Sequence, residues 1–150
     1  PVVIKGYSFH LMDVPHDGNC AIWAAISAVK GITDERQFHL FGNEMTRIRQ
    51  QVEARMESGG GDVDVPSSYP RAPEGPGVEN LRYVRYVGEV LGLQIVVYNA
   101  EKCEFYQAFG DGVGRKMDLR EALGPALNPK NHYTLFYYSG GHYQLMTPCR

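Results

Sequence analysis

The sequence predicts an α+β domain, an α/β sandwich whose small, mostly antiparallel sheet is flanked by helices. Three observations predict it. Apolar residues at helical spacing dominate the first half of the chain, strand-like apolar runs crowd the second, and short helical stretches fall between those runs. No repeat interrupts the 150 residues, which are the size of one domain and enough to bury a real core. One domain spanning 1–150 is therefore expected. The lack of an initiating Met at Pro1 suggests that it was excised from a longer protein.

Residues 21–29 are almost wholly apolar and do not alternate, which favours a buried helix over a strand. His10 falls in a possible strand before it. A second helix is expected from an N-cap near Thr33, with Asp34 and Glu35 in its first turn and Gly42-Asn43 as a kink or delay. Phe41, Met45, Ile48, Val52 and Met56 recur every three or four residues and mark its buried stripe. Residues 58–77 hold five Gly, four Pro and three Ser, so they read as a long exposed loop. Leu81, Val84, Val87 and Leu91 form the stripe of a third helix. The runs 93–98 and 104–109 are expected to pair across a turn, a short helix to cover 118–123, and 133–138 to pair with 142–147 through Ser139-Gly140-Gly141.

Composition narrows the function. With 43% hydrophobic and 21% charged residues, the chain belongs with ordinary globular domains. Its net charge of -2 offers no broad basic surface, so nucleic acid is not an expected partner. No apolar run approaches the ~20 residues needed to cross a bilayer. Three widely spaced cysteines, Cys20, Cys103 and Cys149, do not make a disulfide framework and point to a reducing, cytosolic setting.

The chemistry concentrates in Asp17-Gly18-Asn19-Cys20, a tight turn that runs directly into the first helix. A helix start lowers a cysteine's pKa through unpaired N–H groups and the macrodipole. Gly18 relaxes the backbone, so that amides from Asp17 to Cys20 can converge on an oxyanion. Packing alone also explains many cysteines at the start of an apolar helix. A nucleophile needs a base, and five histidines compete. His10 and His39 read as structural, and His16 precedes the turn without a supporting pattern. His132 sits at the far end of its strand. His142 opens the last strand beside two glycines that allow a substrate chain to approach, and it is the better candidate. Gln144, two residues on, shares its strand face and can accept from the imidazole. Asp13 is a substitute if the fold brings it close. His16 and Cys20 lack the further ligands of a zinc set, so neither a metal nor a cofactor is expected.

These residues bear a family likeness. Asp17-Gly18-Asn19-Cys20 before an apolar helix, with His142-Tyr143 opening a late strand, resembles the OTU (ovarian tumour)-like cysteine proteases, a papain-related fold. The segment leading into residues 91–98 is also similar, and the likeness runs from about Asp13 to Met146. By that resemblance Cys20 is the nucleophile, His142 the general base, and Asp17 the aspartate whose loop builds the oxyanion hole. Gln144 falls where the family usually has Asn or Asp. Ile22 replaces a common aromatic, and Pro76-Gly77-Val78 stands where a Trp-Gly pair is usual. The departures suggest a divergent member, bacterial or viral.

What the resemblance implies is deubiquitination: thiol-dependent hydrolysis at the C-terminal glycine of ubiquitin, with ubiquitin or polyubiquitin as partner and a monomeric enzyme in the cytosol (the host's, for a pathogen protein). The alternatives are a protease for another ubiquitin-like modifier or a viral polyprotein, and an OTU-fold module that binds ubiquitin without cutting it. Asp62, Asp64, Glu74 and Glu79 read as solvated charge in preference to a dock for the arginines of ubiquitin's tail.

Overall fold

The computed structural model describes residues 1–58, 78–126 and 133–149. The predicted 58–77 loop and His132 thus lie outside the described residues, apart from Ser58, which ends a helix. In chain order the elements are β1 (Val2–Ile4), β2 (Tyr7–Met12), α1 (Cys20–Lys30), a 3₁₀ segment (Glu35–Phe41), α2 (Gly42–Ser58), α3 (Val78–Leu91), β3 (Gln94–Asn99), β4 (Glu104–Ala108), β5 (Lys116–Met117), α4 (Leu119–Ala126), β6 (Tyr133–Ser139) and β7 (His142–Pro148).

The architecture is α+β, but the sheet is larger than expected. It has seven strands in the order β1-β2-β7-β6-β3-β4-β5. β3 and β6 run parallel while every other pair is antiparallel, so the sheet is mixed. β1 and β5 are three and two residues long, too short to show any alternation in sequence. Their existence follows from having a neighbouring strand to pair with.

Alternation along the central strands explains why they read as nearly continuous apolar runs. Ile95 and Val97 of β3, Phe136 of β6 and Leu145 of β7 face the core formed with α1, α2 and α3. Val96, Leu135 and Met146 face the opposite way, into a second core closed by Ala122 and Leu123 of α4. Both faces of the middle of the sheet are covered, so neither face needs polar residues. α1 is the most buried helix, with Ile22, Ala24, Ala25 and Ile26 at 1% exposure or less.

The expected buried stripe of α2 is present. Ile48 and Val52 are buried, and Phe41, Met45 and Met56 pack partly against the same core. The helical entry differs from expectation: Asp34, not Thr33, is the N-cap. Its carboxylate accepts from the Arg36 N–H while the Gln37 amide oxygen accepts from the Asp34 N–H. The Gly42-Asn43 delay is seen as the point where 3₁₀ gives way to α-helix. The last hairpin turns through Gly140 and Gly141, at φ 58° and 80°, between the paired Ser139 and His142. Two successive left-handed residues give the turn whose twist suits a two-residue hairpin.

Candidate active site

Two chain segments converge beyond the end of β2. β2 pairs with β7 only as far as Met12 opposite Leu145. Beyond that point Asp13 follows on the β2 side, while Tyr143 and His142 continue the other way on β7. α1 packs across β7, and its first residue fills the place left by the ended strand. The N–H of Tyr143 donates to Cys20 Sγ at 3.4 Å. The thiol therefore rests against the backbone of the residue that follows His142.

The turn before Cys20 is built by Asp17. One carboxylate oxygen accepts from the Asn19 N–H at 3.0 Å and the other from the Trp23 indole N–H at 3.1 Å, tying the turn to the second turn of α1. Gly18 sits at φ 84°, which only glycine adopts without strain. The Asn19 side chain does not cap the helix. The first intrahelical bond is Trp23 N–H to the Asn19 carbonyl, so the N–H groups of Cys20, Ala21 and Ile22 have no helical acceptor. The Asn19 amide is already taken by Asp17. Losing that donor makes the set open to an oxyanion narrower than the whole Asp17–Cys20 turn that the sequence suggested, and the helix start adds the N–H groups of Ala21 and Ile22.

The orienting residue is not the one the sequence favoured. His142 Nε2 lies 3.1 Å from Asp13 Oδ1. Gln144 Nε2 donates to that same oxygen at 3.2 Å. Gln144 does share a face with His142, but both side chains reach across to Asp13 instead of to each other. The pairing of β2 with β7 supplies the carboxylate, and no local spacing could have revealed it. A carboxylate has no proton to give, so Nε2 is the donor and Nδ1 of the neutral ring keeps its lone pair.

Asp13 Oδ1 is the hub of this cluster. It also accepts from the Val14 N–H at 3.0 Å and lies 3.4 Å from His16 Nε2. Burial pushes the Asp13 carboxyl up, but the bonds from His142, Val14 and Gln144 and the charge of His16 outweigh it, and its pKa is held below the ordinary value. His142 is largely covered, with its side chain 18% exposed. One face of its ring is stacked on His16, with centroids 3.7 Å apart and planes 14° apart.

Two contributors escaped the sequence reading. His16 has no supporting pattern in the sequence, yet it covers the imidazole. Glu101, in the β3–β4 turn, accepts from the Gly140 N–H at 3.0 Å and pins the hairpin that leads into His142. Each acts across the tertiary fold and leaves no periodic signal. By contrast His10 is exposed on β2 opposite Thr147, and His39 is exposed in the 3₁₀ segment, bonded to the Arg36 carbonyl, so neither approaches the cluster.

No protein-family model matches the chain, and no curated protein sequence matches it.

Proposed function

We propose that this domain is a cysteine isopeptidase of the OTU-like kind, hydrolysing bonds at the C-terminal glycine of ubiquitin. The observation that carries the chemistry is the alignment of three groups: Cys20 Sγ against the Tyr143 N–H, His142 next to it in the chain, and Asp13 on His142 Nε2. The choice of ubiquitin rests on the sequence likeness of Asp17–Cys20 and His142-Tyr143 to that family.

In this reading Nδ1 of His142 takes the Cys20 proton while Asp13 fixes the ring and balances the imidazolium. The thiolate attacks the glycine carbonyl, and N–H groups at the start of α1 stabilise the oxyanion. The imidazolium then protonates the departing lysine amine. Water, deprotonated by His142, hydrolyses the thioester and regenerates the thiol. Gly140 and Gly141 border His142 without side chains, which suits a substrate tail ending in two glycines. Gln144 keeps Asp13 in place and does not contact the ring nitrogen.

The test is reaction with ubiquitin carrying a C-terminal electrophile. Wild-type protein is expected to form a covalent adduct, Cys20→Ala none, and His142→Ala one that forms far more slowly. If folded wild-type protein gives no adduct with ubiquitin but does react with an electrophile on another modifier, the chemistry stands and the substrate changes. If it reacts with neither, the protease reading fails.

A further inference from the structure

Local spacing offers no complete metal set, but the fold assembles one. Asp13, His16 and His142 each present one ligand atom, and the three atoms lie within 4.8 Å of one another. The stacked imidazoles put their Nε2 atoms side by side against one carboxylate oxygen, at 3.1 Å for His142 and 3.4 Å for His16. Asp13 Oδ2 makes no hydrogen bond among the described residues, so the carboxylate has an acceptor to spare.

We propose that Asp13, His16 and His142 form a binding site for a zinc-class divalent cation, and that the bound cation silences Cys20. Two imidazole nitrogens and a carboxylate oxygen, with water in the fourth position, make a ligand set suited to tetrahedral zinc. Magnesium and calcium prefer all-oxygen shells and are disfavoured by the two nitrogens. Bonds of about 2.0–2.1 Å to nitrogen require the two rings to fan apart. His16 has that freedom, because its side chain is 66% exposed and it precedes the Gly18 turn.

The consequence follows from the tautomer. A cation on His142 Nε2 takes the lone pair of that nitrogen, so the ring proton moves from Nε2 to Nδ1. Nδ1 then has no lone pair to accept the Cys20 proton, and the His142–Asp13 hydrogen bond is broken. Binding is independent of the protease reading, whereas inhibition rests on it. His16 covers the imidazole but takes no proton in that reading, so comparing each variant with and without the cation separates the two.

The experiment titrates the chelator-treated chain with zinc alone, in competition with a chromophoric chelator. A Cys103→Ser, Cys149→Ser background removes the other two thiols. One cation per chain is expected, with affinity at least about tenfold weaker in His16→Gln and unchanged in Cys20→Ala. Zinc is expected to slow adduct formation strongly in the parent and far less in His16→Gln, each measured against its own metal-free rate. Absent binding, or binding that survives His16→Gln, overturns the proposal. Binding lost in Cys20→Ala also overturns it, by assigning the cation to a Cys20–His142 pair. If zinc binds in the expected pattern but neither ubiquitin nor another modifier's electrophile forms an adduct, the site stands, while the inhibition falls together with the protease reading.

Discussion

His142 Nε2 and Asp13 Oδ1 are 3.1 Å apart although 129 residues separate them in the chain. The contact exists because β2 and β7 are sheet neighbours and β2 ends at Met12, placing the next side chain beside the imidazole. This assigns unequal roles to the two residues around His142. Asp13→Asn is expected to lower kcat/KM by about 10²–10⁴, since an amide orients the ring poorly and does not balance its charge. Gln144→Ala is expected to lose about tenfold or less, because it acts only through Asp13. Steady-state kinetics on both variants checks this, and a larger loss for Gln144→Ala would reverse the roles.

Asp13 also sets an acid dependence. Its folded pKa lies below the ordinary value of 3.8, so the ionised form is favoured by folding. The stability it contributes is complete above the unfolded value and is lost as pH falls through the lower folded one. The melting-temperature gap between wild type and Asp13→Asn is therefore expected to be constant near neutrality and to shrink below about pH 5. A gap that widens in acid would contradict the sign.

Asp17 has a built-in reporter. Trp23, the single tryptophan of the chain, donates its indole N–H to that carboxylate. Asp17→Ala is expected to cost about 1–3 kcal/mol, change the indole emission and slow adduct formation, with far-UV dichroism preserved. Unaltered emission would mean that the carboxylate does not hold the turn in solution.

Glu101 is expected to matter for rate more than for stability. Its bond to the Gly140 N–H holds an exposed turn, so Glu101→Ala should lower the melting temperature little while reducing kcat, with Glu101→Gln recovering most of the loss. Equal losses in the two variants would show that the charge, not the hydrogen bond, is what matters.

Two glycines are expected to resist alanine for different reasons. At Gly18 an added Cβ meets nothing within 4 Å, so the cost is the left-handed backbone alone, about 1–2 kcal/mol, and Asn should be tolerated better than Ala. At Gly88 the Cβ would lie 2.6 Å from the Leu93 carbonyl oxygen, where α3 hands over to β3. Gly88→Ala is expected to cost about 1–3 kcal/mol whatever its dihedrals, because the backbone must move. Chemical denaturation of both variants and of Gly18→Asn separates the two mechanisms.

What the sequence determined by itself is whatever depends on near neighbours in the chain. An unbroken apolar run without alternation showed α1, and a spacing of three or four showed the buried stripe of α2. The β-branched run at 93–98 showed β3, and Ser139-Gly140-Gly141 between two strand-like runs showed the final hairpin. Cys20 at a helix start and His142 beside the glycines were legible for the same reason, since each is marked by its own turn. Only the tertiary structure decided that Asp13 rather than Gln144 orients the imidazole, that His16 stacks on it, and that Glu101 holds the turn before it. Those contacts follow from the strand order β2-β7-β6-β3, which brings distant segments side by side. Strand order is fixed by how the two cores close over both faces of the sheet, and no pattern within one segment encodes it.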